Sequence, residues 1–122
     1  MATLREVENA VLSVRVPAAP SEDELHSIIM NAFSSHNLPA QHEVSLGRGR
    51  RIDFLVGGVG VEIKKGKPNA RALYAQLSRY AESPMVTELL CLVEKSVFLP
   101  TQCGGKTLKT ISLNRLWGVS LP

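Results

Sequence analysis

Three residues in one short stretch have types and spacing suited to chemistry on phosphate: Asp53, Glu62 and Lys64, within Arg51-Ile52-Asp53-Phe54-Leu55-Val56-Gly57-Gly58-Val59-Gly60-Val61-Glu62-Ile63-Lys64. Two carboxylates brought side by side repel each other, and a divalent cation between them relieves that repulsion. Mg²⁺ is commonly held by one or two carboxylates, with waters and phosphate oxygens filling its remaining positions. A lysine two residues after Glu62 on an extended chain shares its face, so its ammonium adds a positive charge beside the acids.

For these three groups to meet, the chain must fold back between them. Ile52, Phe54, Val56, Val61 and Ile63 alternate with Arg51, Asp53, Glu62 and Lys64, the period-two pattern of two strands with one buried face. Gly57-Gly58 is the expected turn, since both central positions of a type I′ hairpin need positive φ. Counting outward from it sets Val56 against Val59, Phe54 against Val61, Asp53 against Glu62 and Ile52 against Ile63. The apolar residues then share one face and the two acids the other. Directly opposed Cβ atoms lie about 4.5–5.5 Å apart.

The net charge of +3 is unevenly spread. Residues 48–79 hold Arg48, Arg50, Arg51, Lys64, Lys65, Lys67, Arg71 and Arg79 against only Asp53 and Glu62, giving that segment +6 and the remainder −3. A basic field around paired acids suits a polyanionic partner; the alternative is a solvated basic surface. A chain of 122 residues is expected to form a single domain. No apolar run approaches the roughly 20 residues of a membrane span, and the first residues lack a basic start and apolar block. No membrane association and a cytoplasmic location are therefore expected. Cys91 in an apolar run and Cys103 beside glycines suggest neither a disulfide scaffold nor a metal cluster.

Along the chain, residues 2–20 fit a helix through Leu4, Val7, Val11 and Val14, or a strand over 10–16, closed by Pro17 and Pro20. Such an arm would pack on the core or on a second subunit. Ser21 and Glu24 form a capping-box pattern before a helix whose apolar stripe is Leu25, Ile28, Ile29, Ala32 and Phe33. Residues 42–46 read as a strand entering the basic turn 47–50. Glu43 in it is taken as a solvated residue. A second helix is expected over about 69–82, with Leu73, Gln76, Leu77 and Tyr80 on one face. An amide in an apolar stripe needs hydrogen-bond partners. Residues 86–93 read as a buried strand containing Glu88. Gly104-Gly105-Lys106-Thr107 lacks the first glycine and following helix of a phosphate-binding loop, so it reads as a turn. Residues 108–113 and 117–121 read as terminal strands, or as a strand and a short helix.

An Asp on one hairpin strand and Glu-x-Lys on the next, Asp53 and Glu62-Ile63-Lys64 here, resembles the PD-(D/E)xK nuclease superfamily, with Ile52 in place of the proline of its name. Gln76-Leu77-Ser78-Arg79-Tyr80 resembles the Gln-x-x-x-Tyr motif of its RecB-like members. The resemblance covers about residues 21–94. It implies an α/β fold with a restriction-endonuclease-like αβββαβ core, a mixed central sheet flanked by helices, with residues 1–20 and 95–122 as peripheral extensions. It also implies a Mg²⁺- or Mn²⁺-dependent deoxyribonuclease. Asp53, Glu62 and the Ile63 backbone carbonyl would be metal ligands. Glu22 would be a further acid from the first core helix, its alternative role being to complement the positive helix N-terminus. Lys64 would orient water or neutralise developing charge, and the carboxylates around it favour the electrostatic role. Gln76 and Tyr80 would approach the site, their alternative being a core-edge amide and a packing ring. DNA would meet Arg48, Arg50, Arg51, Lys65, Lys67, Arg71 and Arg79. The chain's small size favours junctions, flaps or ends over a specific sequence, with pairing into a homodimer possible. A catalytically silent nuclease-fold module that binds nucleic acid or a protein is the alternative from another class.

Overall fold

Thr3 and Glu6 exchange side-chain-to-backbone hydrogen bonds of 2.9 and 3.2 Å, the capping box that starts helix α1, Leu4–Leu12, in a computed structural model describing residues 2–116. The helix is thus the form adopted within 2–20, and Val7, Ala10 and Val11 are fully buried. Ser21 and Glu24 make the second capping box, at 2.8 and 3.1 Å, and open α2, Glu22–Ser35. Strands β1 (Ala40–Gly47), β2 (Arg50–Val56) and β3 (Val59–Lys64) follow, then α3 (Ala70–Ala81), capped by the Asn69 side chain on the Ala72 N–H. The chain continues through β4 (Glu88–Val93), β5 (Gln102–Cys103) and β6 (Lys106–Ser112) into a 3₁₀ turn, Leu113–Leu116. The reading of 117–121 as a strand or helix lies outside the described residues.

The strands form one sheet in the order β1-β2-β3-β4-β6-β5. The meander β1-β2-β3 is antiparallel, whereas β4 is parallel to both β3 and β6. A parallel neighbour requires a crossover, and α3 supplies it between β3 and β4. The fold class is therefore α/β with a mixed sheet. Each face carries its own core. Leu25, Ile29 and Phe33 of α2 pack with α1 residues against Phe54, Val56, Val61 and Ile63. Leu73, Leu77 and Tyr80 of α3 pack against Ile52, Leu55, Leu89 and Cys91 on the other face. The segments expected at the periphery join these cores: α1 lies in the first, and β6 sits beside β4 with Leu108 and Ile111 buried on opposite faces. Gly104-Gly105 is the turn of the β5–β6 hairpin, both glycines having positive φ.

Two expectations about the central hairpin need correction. Gly57 has φ +61°, but Gly58 does not have positive φ, the pattern of a type II′ rather than a type I′ turn. Gly58 is needed for room instead: an added Cβ would overlap the Thr87 side chain. Thr87 donates both its N–H (2.7 Å) and its hydroxyl (3.1 Å) to the Gly58 carbonyl, tying the turn to the approach to β4. The second correction concerns register. The β2–β3 ladder pairs Val56 with Val59, Leu55 with Gly60 and Phe54 with Val61, and goes no further. Ile52 belongs to the α3-side core and Ile63 to the α2-side core, so they do not face each other.

The cause lies on β1. Glu43 has φ +54°, and neither Glu43 nor Asp53 forms a pair in the ladder that flanks them, His42–Phe54 on one side and Val44–Ile52 on the other. Across this irregularity both strands exchange faces: His42 stacks on Phe54, while Val44 packs with Ile52's core. Gly58→Ala should destabilise the protein by about 1–3 kcal/mol. The measurement is urea unfolding; a midpoint equal to wild type would contradict the close packing of Thr87 on the turn.

Candidate active site

Asp53 and Glu62 occupy the place where the β2–β3 ladder stops. There the backbone N–H groups that would have paired across the strands are taken by the two carboxylates instead. The Asp53 N–H donates to Glu62 Oε1 at 3.2 Å, and the Ile63 N–H donates to Asp53 Oδ2 at 2.8 Å. Lys64 Nζ lies 3.3 Å from Glu62 Oε2. The acids and the ammonium expected to converge therefore do so, through a splayed hairpin rather than a continuous one. The Lys64 carbonyl accepts the Glu94 N–H on the β4 side. Successive strand carbonyls point to opposite sides, so the Ile63 carbonyl is turned toward β2 and the acids.

Burial sets the electrostatics. Glu62 is only 4 % exposed, and loss of hydration together with the neighbouring Asp53 charge raises its carboxyl from 4.5 to about 7, against a partial opposing effect of Lys64. Tyr80 is held beside it: its hydroxyl donates to the Arg51 carbonyl at 2.8 Å and stands 3.4 Å from Glu62 Oε2. Burial and the nearby acids push the Tyr80 phenol well above its usual range, so it acts as a hydrogen-bonding post rather than a proton donor to solvent. Gln76 Nε2 donates to the Tyr80 hydroxyl at 2.9 Å, which answers the question of where its amide finds a partner. Gln76 and Lys64 also line a small cleft of about 180 Å³ with Pro68, Asn69, Ala72 and Leu73. Cys91, opposite Glu62 on β4, is pushed up to about 12, first by burial and then by the Glu62 charge, and is no nucleophile.

The residue of α2 that reaches the acids is one the sequence did not single out. His26 Nε2 lies 3.9 Å from Asp53 Oδ2, and its Nδ1 is 2.9 Å from His42 Nε2. Glu22, proposed from the same helix, is exposed at its first position and makes none of the hydrogen bonds or ion pairs around Asp53 and Glu62. The signal was present: His26 is four residues after Glu22, on the same helix face and one turn further along. His42 lies over Phe54 with ring centroids 4.7 Å apart, which fixes the outer imidazole. Two rings joined by an N···N hydrogen bond need one protonated and one bare nitrogen at that contact.

The basic residues divide into two sets. Arg50 is engaged by Glu82 at 2.8 Å and by the Arg79 carbonyl, and Arg51 by Glu43 at 3.4 Å. Arg48, Lys65, Lys67, Arg71 and Arg79 are exposed on the turn β1–β2, the loop after β3 and α3.

Among the described residues no three His, Cys, Asp or Glu side chains form a ready-made metal cage. The donor set is instead two adjoining carboxylates, one raised first by its burial and then by the other's charge, with a carbonyl beside them. That is a set which a hard divalent cation with waters and phosphate oxygens fits. No protein-family model, curated protein or solved structure matches this chain.

The raised Glu62 carboxyl gives a pH signature. Its folded value, about 7, exceeds the unfolded 4.5. The fold therefore holds the neutral form at no cost below 4.5, and metal-free stability falls as pH rises from 4.5 to 7. Glu62→Gln should remove that fall and unfold at a temperature about 3–8 °C above wild type at pH 8, the difference vanishing near pH 4.5. Thermal scans in a chelator check this, and parallel pH profiles for the two proteins would contradict it.

Proposed function

We propose that the protein is a metal-dependent deoxyribonuclease that hydrolyses phosphodiester bonds at DNA junctions, flaps or ends. The observation that carries this is the convergence of Asp53, Glu62 and Lys64 at the end of a splayed hairpin, with Tyr80 and Gln76 bracing the buried acid. The element order helix–three strands–helix–strand over 22–93 supports a PD-(D/E)xK reading. So does the placement of the Gln-x-x-x-Tyr pair against Glu62.

Asp53 and Glu62, with the Ile63 carbonyl, would hold Mg²⁺ or Mn²⁺, whose chemistry when bound is to acidify water and to neutralise a non-bridging phosphate oxygen. Hydrolysis adds water across a P–O bond. The water oxygen bonds to phosphorus, the P–O bond to the ester oxygen breaks, and the proton lost by the water is balanced by one the departing oxygen takes up from solvent. Lys64, steered by Glu62, supplies positive charge where negative charge grows on the phosphate. The Ile63 N–H orients the Asp53 carboxylate, and His26, backed by His42, stands beside it. Arg48, Lys65, Lys67, Arg71 and Arg79 offer exposed charges to the DNA backbone.

Because the Asp53 carboxylate also satisfies the Ile63 N–H, truncation to alanine confounds function with stability. Asn keeps an acceptor there. Asp53→Asn and Lys64→Ala should each lower Mg²⁺-dependent cleavage by at least about 100-fold while the far-ultraviolet spectrum is retained. Labelled single strands, duplexes, flaps and four-way junctions with Mg²⁺ or Mn²⁺ provide the assay. Cleavage by either variant at the wild-type rate would overturn the assignment.

A further inference from the structure

Phe98 is 89 % exposed, the most exposed large apolar side chain among the described residues. A lone exposed apolar residue ordinarily requires no explanation. Its setting does. The chain on either side is fastened down: the Glu94 N–H bonds the Lys64 carbonyl at 2.8 Å and the Lys95 N–H bonds the Gly66 carbonyl at 3.1 Å. Beyond the ring, Leu99 is buried, and the Thr101 carbonyl takes the Leu108 N–H at 2.9 Å. Val97 packs on the α3-side core. The backbone therefore dips inward at 97 and 99 and presents Phe98 outward between them.

The location is the carboxyl end of β3 and β4. Val93 is the register partner of Lys64, and five extended residues beyond it reach at most about 17 Å. The surroundings are cationic. The Lys95–Gly66 bond brings exposed Lys95 to exposed Lys65 and Lys67. The one acid of segment 94–101, Glu94, is turned onto the Gly66 N–H at 2.6 Å. An isolated exposed ring on the same segment as Lys95, whose backbone meets the Lys65–Lys67 loop at Gly66, suits a nucleobase whose phosphates are held alongside.

We propose that Phe98 is a stacking platform for an unpaired base, with Lys95, Lys65 and Lys67 gripping the adjoining backbone, so that the substrate carries single-stranded character beside the bond that is cut. This rests on the nuclease reading and narrows its substrate class. Duplex bases are stacked on one another and have no free face to give.

The test measures binding in a chelator, which prevents cleavage, of a labelled single-stranded oligonucleotide of mixed sequence and the matching blunt duplex. Phe98 is barely covered by the described residues, so Phe98→Ala should unfold at the wild-type temperature. It should bind the single strand about 5- to 150-fold more weakly while duplex affinity changes by less than about twofold. Phe98→Trp should keep the affinity and show emission quenched by the single strand beyond any change in wild type. Lys95→Ala should lower the slope of log affinity against log salt by about 0.7. Wild-type affinity for the single strand in Phe98→Ala would overturn this inference alone, and Asp53-dependent cleavage would still uphold the nuclease reading. A wild-type protein that binds neither DNA would overturn the nuclease reading with it.

Discussion

The structure turns on an exchange of hydrogen bonds between β2 and β3. Where two antiparallel strands would pair backbone to backbone, Glu62 takes the Asp53 N–H and Asp53 takes the Ile63 N–H. A buried amide without a partner costs about 1–3 kcal/mol, so a hairpin that splays must find acceptors for both groups. Carboxylates supply them, and in doing so are held side by side, Glu62 buried and Asp53 half-buried. The same pair that completes the backbone's hydrogen bonding thereby becomes an electrostatic liability, visible in the raised Glu62 carboxyl. A cation shared between them would remove the repulsion without disturbing the backbone bonds.

Both layers of the fold serve this junction. From the α3 side, Gln76 holds Tyr80, and Tyr80 spans the Arg51 carbonyl and Glu62, bridging the two strands at the point where their ladder ends. From the α2 side, His26 comes to Asp53 with His42 and Phe54 behind it. The face exchange at Glu43 and Asp53 makes this possible. It sends Ile52 into the α3-side core and Phe54 into the α2-side core, leaving Asp53 between the two layers. An extended strand without the irregularity would have kept Asp53 on the face opposite Ile52 and Phe54 together.

Much of this was legible in the sequence because local rules acted alone. Period-two alternation and the glycine pair gave the hairpin, Ser21 and Glu24 gave the start of α2, and the Gln76–Tyr80 spacing gave a shared helix face. What escaped depended on distant partners. The role of Gly58 is dictated by Thr87, which no short-range pattern connects to it. The positive φ of Glu43 has no marker in the residue type, so alternation set Ile52 and Ile63 on one face when they lie on two. The resemblance put Glu22 forward as a further acid from α2, whereas the side chain that meets Asp53 is His26, one turn on. The resemblance made residues 1–20 and 95–122 peripheral extensions, yet helix α1 and strand β6 within them cover and extend the sheet that carries the motif.

The central claim is that Asp53 and Glu62 form a single cation site. Calorimetric titration of Mn²⁺ into the metal-free protein at pH 8, beside the Asp53→Asn variant, tests it most directly. The expected result is one saturable ion per chain in the wild type and no saturable binding in the variant. Equal binding by both proteins, or none by either, would contradict the claim.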